Sequence, residues 1–338
     1  AHMQNRDYAL AIADFDHVLE HNPEQVKIYV ARGHLHALME NFEEALKDFD
    51  HASDMGETPP ELYSVRGVVL NAMSKYERAL KDFERLLIQR PNDPDAIYGR
   101  GTAKFGLERY EESISDFDLV LRQDPTHAGA LARRGSAHRR LNNYQAAFDD
   151  FNQAIQLNPL RWGMYALRGS LNNKMGAYGS ALKDFNVAIE QGITSSSTYL
   201  GRGYSHSHMG DFSRANEDFR RSFEADPDFY YTALWSHLTT VRMGRRSQLG
   251  EDMKGMDMDK WPAPVARVLF EGADPVAARA KAENDDHRCE ADFYIGLDAI
   301  LDGKRDQGVR LLRRAVEECP TYNDEFNAAR VELRRLGE

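Results

Sequence analysis

Arg66 and Asp82 are charged residues placed directly beside two residues that are suited to packing. Arg66 precedes Gly67, and Asp82 precedes Phe83. An arginine and an aspartate can form an ion pair that either holds a charged ligand or joins two helices of a scaffold. A binding or catalytic site is expected once in a chain, whereas a scaffold pair is expected to recur.

The pair recurs at a fixed spacing. Six units, in steps of 34 residues without an insertion, each contain one arginine–glycine pair and one aspartate–phenylalanine pair. Six copies at one structural position indicate a ladder of inter-helix ion pairs, within a repeat or to the next one. The first residues of the pairs are Arg32, Arg66, Arg100, Arg134, Arg168 and Arg202, and Asp48, Asp82, Asp116, Asp150, Asp184 and Asp218.

A small residue also follows each glycine by twelve positions, and a proline closes most units. This Gly, Ala, Phe and Pro spacing at a period of 34 resembles the tetratricopeptide repeat (TPR) family of helix–turn–helix repeats. The resemblance covers six units over residues 26–228. It implies an all-α fold, a right-handed α-solenoid or superhelix of stacked helical hairpins, in which neighbouring repeats bury each other's apolar faces.

Residues 1–25 match the second helix of a truncated repeat. Ala1-His2-Met3 resembles a cloning remnant, so we expect the sequence to begin inside a longer protein. Ile12 and Phe15 lie in this half-unit, where the missing first helix is expected to leave apolar surface exposed. A homodimer formed through the truncated repeat is one way to cover that surface.

The repeat register decays after Pro227. Residues 229–288 are predicted to form a degenerate repeat and short irregular helices, and residues 289–338 a divergent TPR-like unit with a capping helix at 324–336. This irregular helical cap resembles the C-terminal part of bacterial TPR lipoproteins of the NlpI family. That resemblance implies a bacterial envelope adaptor, which brings peptidases and their regulators together.

Composition limits the classes of function. The 338 residues are 42% apolar and 29% charged, which is typical of a folded chain, and no stretch approaches a membrane-spanning helix. The net charge of −11 argues against general nucleic-acid binding. Only Cys289 and Cys319 are cysteines, so a reducing, cytoplasmic compartment is the default. Antiparallel helices would nevertheless bring both to one end of the last hairpin, and a disulfide there would imply an oxidising compartment such as the periplasm.

No sequence motif predicts an enzyme or a cofactor. The chain contains no G-x-S-x-G, GxxxxGK[ST] or HExxH motif. Two histidine pairs stand two positions apart, His34 with His36 and His206 with His208. This spacing places the two rings of a pair on different faces of a helix. We therefore predict no catalytic residue and no metal site.

The predicted binding surface is the concave groove that the first helix of each TPR lines. A basic cluster of Arg133, Arg139, Arg140 and Lys174, suited to carboxylates, is predicted there on an otherwise acidic protein. The hypothesis is that repeats three to six bind an acidic or C-terminal peptide segment, and the alternative is that these charges are merely solvated. The predicted groove residues are Asn71, Tyr98, Phe105, Arg139, Arg140, Asn173, Lys174, Tyr204 and His208.

These observations predict a non-catalytic protein–protein interaction scaffold or adaptor. Two alternatives stay open. One is an envelope adaptor of the NlpI kind. The other is the targeting or regulatory arm of a larger enzyme whose catalytic domain lies outside this sequence.

Overall fold

A computed structural model describes residues 2–56, 59–257, 260–320 and 324–338, with side chains from residue 7 onwards. Ala1 of the expected cloning remnant lies outside them. The described residues are organised as helices without strands, and they divide into two compact units, Ala1–Leu157 and Asn158–Glu338. None of the helices in these ranges is both long and apolar enough to cross a bilayer.

The first unit consists of helices in antiparallel hairpins, preceded by one further helix that packs on the first hairpin. This helix, α1, leaves Leu10 65% and Val18 41% exposed. In order, the helices are α1 (His2–His21), α2 (Val26–Leu38), α3 (Phe42–Asp54), α4 (Pro60–Ala72), α5 (Tyr76–Gln89), α6 (Pro94–Gly106), α7 (Tyr110–Gln123), α8 (Ala128–Arg140) and α9 (Tyr144–Leu157).

The second unit begins with two regular hairpins and continues with shorter helices. Its last helix has the bounds that the sequence predicts. In order, the helices are α10 (Trp162–Lys174), α11 (Tyr178–Glu190), α12 (Ser196–His208), α13 (Phe212–Ala225), α14 (Tyr231–Arg242), α15 (Leu249–Asp252), α16 (Ala263–Glu271), α17 (Pro275–Ala280), α18 (Asp285–Leu301), α19 (Arg305–Glu318) and α20 (Asp324–Leu336).

Each hairpin turns through one residue in the left-handed backbone region. In the second hairpin this residue is Ser74, with φ of 57°, and the N–H of Lys75 then bonds to the carbonyl of Leu70 at 2.8 Å. Such a bond satisfies a carbonyl at the end of the first helix. The same repeat position is occupied by Glu40, Ser74, Glu108 and Asn142 in the first unit, and by Gly176, Gly210 and Gly244 in the second.

The repeated phenylalanines are the centre of the core, and glycines make room for them. Phe83 is 1% exposed and lies between Gly67 of its own repeat and Gly99 of the next. A Cβ atom on Gly67 would lie 2.8 Å from Phe83 Cζ, and one on Gly99 only 2.3 Å from it. The glycines therefore set how closely α4 and α6 approach the ring.

We expect Gly99→Ala to lower the free energy of unfolding by about 1–3 kcal/mol, because the added methyl group overpacks the core. Urea unfolding followed by circular dichroism measures this. Gly163→Ala is the matched control, since a Cβ there meets nothing within 4 Å. It should leave stability unchanged or raise it by up to about 1 kcal/mol. Equal unfolding midpoints for Gly99→Ala and the unaltered protein would contradict the packing argument.

The end of the second unit is joined by a disulfide. Cys289 lies in the second turn of α18 and Cys319 directly follows α19, with their Cα atoms 5.1 Å apart. The structure thus forms the cross-link that the sequence left open.

The aromatic residues at the start of the degenerate repeat differ in exposure. Trp235 is buried at 3% exposure, while Phe229 is 37% exposed.

Candidate functional site

The six predicted arginine–aspartate pairs all form, each as a bidentate pair within one repeat. Their N–O distances lie between 2.6 and 3.0 Å. Arg66 and Asp82 are the most enclosed pair, at 7% and 3% exposure. Arg66 also donates to Asp50 of the preceding repeat at 3.0 Å. The pairs therefore join helices within and between repeats and belong to the scaffold.

Asn71 and Asn173 occupy one repeat position, three repeats apart, and make the same structural bond. Asn71 Nδ2 donates to the carbonyl of Gly99 at 2.9 Å, and Asn173 Nδ2 to that of Gly201 at 2.7 Å. Each amide thus joins its helix to the next repeat where a glycine allows close approach. Asn173 Oδ1 also accepts from Ser205 Oγ at 2.7 Å, whereas Asn71 Oδ1 is buried without a partner among the described residues.

The aromatic predictions in the first unit lie partly in the core. The Tyr98 ring packs against Phe117 and His127, with centroid distances of 5.7 and 5.1 Å. Phe105 is half-buried beside Tyr110, at 5.5 Å. Both rings are therefore positioned by neighbouring side chains.

Arg139 differs from the ladder arginines, because its Nε atom is buried and has no hydrogen-bond partner in the described part of the chain. Burial lowers its pKa, and the adjacent charge of Arg140 acts in the same direction. Tyr110 and Tyr144 are near enough to affect that charge. Arg140 is exposed, and the described residues offer it no ion-pair partner. The two arginines therefore form a positive site without a bound carboxylate.

In the second unit, helix α20 contacts two of the predicted groove residues, Lys174 and His208. Lys174 Nζ, at the end of α10, donates to Asp324 of α20 at 2.5 Å. Arg335 of α20 donates to the carbonyls of Ser207 and His208, at 2.6 and 2.9 Å. Lys174 and His208 are thus engaged by a segment more than a hundred residues away in sequence.

Tyr204 lies beneath this helix and is partly buried. Its ring contacts Trp235 at a centroid distance of 4.9 Å, and burial raises the pKa of its hydroxyl. Tyr294 donates from its hydroxyl to Glu325 of α20 at 3.0 Å. Burial raises the pKa of Glu325 to about 8, so this carboxyl is predominantly protonated at neutral pH. The interior under α20 therefore contains aromatic rings together with a carboxyl group that is predominantly protonated at neutral pH.

Sequence reasoning missed a serine–histidine–aspartate group in the second unit. His237 stands where the seventh repeat would have its packing glycine, and its ring nitrogens face Ser247 Oγ at 2.9 Å and Asp298 at 3.3 Å. Ser247 Oγ also accepts from the N–H of Leu249. The group thus ties the short helix α15 to α14 and α18, a structural use of residues that can also do chemistry.

A second missed group lies on α1. His17, Glu20 and His21 bring their ligand atoms within 4.8 Å of one another, and all three are exposed. Their spacing of three and four residues places them on one face of the helix, as metal ligands on a helix usually lie. The His-x-His pairs do not have this spacing, so they did not indicate this group.

Comparisons with known proteins agree with the helical hairpins. Family models described as tetratricopeptide repeat match residues 1–57 and 66–128, 128–159 and 196–229. A tetratricopeptide repeat protein from Parabacteroides merdae is similar in structure, with 21% identity and a TM-score of 0.56 over 70% of this chain and 94% of that one. PilF of Pseudomonas aeruginosa is similar with 15% identity and a TM-score of 0.52 over 60% and 92%. No curated protein matches the sequence.

The hairpins and these matches define an all-α tetratricopeptide solenoid. The chain belongs to the tetratricopeptide repeat family, and it is a protein–protein interaction scaffold of the general kind that this fold supports. Proteins of this family and fold are typically non-catalytic.

Proposed function

We propose that the first unit binds an acidic or C-terminal peptide segment of a protein partner, with Arg139 and Arg140 as the carboxylate-binding residues. The observation that carries this proposal is the buried, unpartnered Arg139 Nε. Removing the Nε–H group of an arginine from water without an acceptor costs free energy, and a ligand carboxylate would supply that acceptor. The six arginines of the ion-pair ladder avoid this cost, because each already forms hydrogen bonds with an aspartate.

A repeat-position comparison supports the same chemistry. Arg140, Lys174 and Arg242 are each the fifth residue after the glycine position of their repeats. In the second unit, Lys174 and Arg242 bind carboxylates of α20, namely Asp324 and Glu332. Arg140 occupies the equivalent position in the first unit without an acid among the described residues. A ligand carboxylate fits there by the same geometry.

Charge reversal tests the proposal. Proteins captured from a lysate of the source organism are identified, and labelled peptides from them are titrated against each variant by fluorescence anisotropy. Arg139→Glu is expected to weaken binding at least tenfold, since a hydrogen bond to a charged group contributes roughly 1.5–3 kcal/mol. Raising the salt concentration should weaken binding to the unaltered protein as well.

Arg122→Glu is the matched control, because it makes the same charge change at an exposed position on a second helix of the same unit. It is expected to change the affinity less than twofold. Equal affinities for the Arg139→Glu and Arg122→Glu variants would overturn the proposal. Circular dichroism establishes that both variants are folded.

An envelope adaptor is a second candidate, favoured by the Cys289–Cys319 disulfide. Stable disulfides are typical of oxidising compartments such as the periplasm. Counting free thiols in protein isolated from its source under alkylating conditions tests this candidate. Two free thiols in that material would remove the support for it.

A further inference from the structure

Helix α20 contacts the first helices of three successive repeats in the second unit. Besides Lys174 of α10 and the carbonyls at the end of α12, it contacts α14, where Arg242 donates to both oxygens of Glu332 at 2.8 and 2.6 Å. Arg335 follows Glu332 by three residues and its charge lies at the C-terminal end of α12, which favours a cation. Polar groups of α10, α12 and α14 therefore each form hydrogen bonds with this 13-residue helix.

The buried face of α20 is unlike that of a core helix. Its residues that are less than a tenth exposed are Ala328, Ala329 and Leu333 together with two acidic residues, Glu325 and Glu332. Alanines bury little apolar area, and burying carboxyl groups opposes folding unless they are paired. By contrast, α18 presents large buried residues such as Phe293 and Tyr294. Phe326 and Leu336 add partly buried apolar contacts, so matched polar pairs and a modest apolar area together hold α20 in place.

We propose that the surface beneath α20 is a groove for an amphipathic helix, that α20 is its resident ligand, and that a partner helix binds by replacing it. The partner helix would carry a carboxylate in its first turn for Lys174, a second one eight residues later for Arg242, and an arginine three residues beyond that for the carbonyls of α12. Small residues would line its face between these charges. This surface is separate from the Arg139 site, so the two proposals can fail independently.

The test uses the full chain and a labelled peptide of residues 324–338. In the unaltered protein, the tethered α20 is present at a millimolar effective concentration and should exclude the peptide. Asp324→Lys with Glu332→Lys breaks two of the polar pairs from the α20 side and leaves the groove residues intact. We expect this variant to bind the peptide at least about tenfold more tightly than the unaltered protein, measured by fluorescence anisotropy.

Restoring the charge match supplies the control. Adding Lys174→Glu and Arg242→Glu to the Asp324→Lys, Glu332→Lys chain makes α20 and its groove complementary again. Peptide binding should then fall to the level of the unaltered protein. A second route keeps α20 as it is and reverses only the groove with Lys174→Glu and Arg242→Glu. That chain should bind a peptide carrying the two lysines and reject the original one.

Three results would overturn the proposal. The first is equal peptide affinity for the released and unaltered chains, with circular dichroism showing both folded. The second is tight binding that the compensating charges do not remove. The third is dimerisation of the released chain, seen by size-exclusion chromatography without peptide uptake, which would make a second copy the occupant.

Discussion

Arg66→Ala is expected to lower the free energy of unfolding by about 3–5 kcal/mol, because it leaves a buried carboxylate without its partner. Asp82 is 3% exposed and accepts two hydrogen bonds from Arg66. Asp50, the other acceptor of Arg66, keeps a second partner in Arg78 at 2.7 Å. The cost therefore arises at Asp82. Urea unfolding followed by circular dichroism measures it.

The double substitution Arg66→Met, Asp82→Leu separates the lost pair from the stranded charge. It removes both charges and fills the space with apolar groups, so most of the lost stability should return. If the double variant is as unstable as Arg66→Ala, the loss comes from packing around the arginine stem instead. The same comparison at Arg32 and Asp48 should give a smaller effect, since the Arg32 side chain is 20% exposed.

Removing the disulfide with Cys289→Ala and Cys319→Ala is expected to lower the free energy of unfolding by about 3–4 kcal/mol. The cross-link spans 30 residues, and closing such a loop restricts the unfolded chain by roughly that amount. The bond also joins the two ends of the α18–α19 hairpin, against which α20 packs. Thermal unfolding of the two proteins with and without reductant measures the effect.

The variant without cysteines provides its own control. Reductant should lower the unfolding temperature of the unaltered protein to that of the variant, and should leave the variant unchanged. An unaltered protein whose unfolding does not respond to reductant, and which shows two titratable thiols when denatured, would exclude the cross-link.

The period of 34 was sufficient to predict the hairpins, the phenylalanine core and the ladder. These contacts join residues at fixed short separations, such as the sixteen between Arg66 and Asp82, because each repeat packs mainly on its neighbours. A residue pattern that recurs along the chain therefore indicates which residues of a repeat contact each other and the next repeat. The bounds of α20 also followed from local amphipathicity. The packing of each repeat on its neighbour requires no contact between residues far apart in sequence.

The candidate site was only partly predictable. Residue type and repeat position marked Arg140 and Lys174 as equivalent basic residues. They could not distinguish an arginine without an ion-pair partner among the described residues from a lysine already bound to Asp324. Likewise, the ring of Tyr204 is partly buried against Trp235, and the amides of Asn71 and Asn173 form hydrogen bonds between repeats. Each outcome depends on which other side chain reaches the position.

The amino-acid sequence alone was sufficient to identify the repeat family and to predict the scaffold role of the recurring ion pairs. Only the folded chain shows that α20 contacts Lys174 and the end of α12, that the two cysteines join, and that Arg139 Nε has no partner among the described residues. The reason is that small rotations between successive repeats add up along a solenoid. Contacts between neighbouring repeats follow from the geometry of one repeat. The contact between Lys174 and Asp324, which lie 150 residues apart, depends instead on the summed rotations of several repeats.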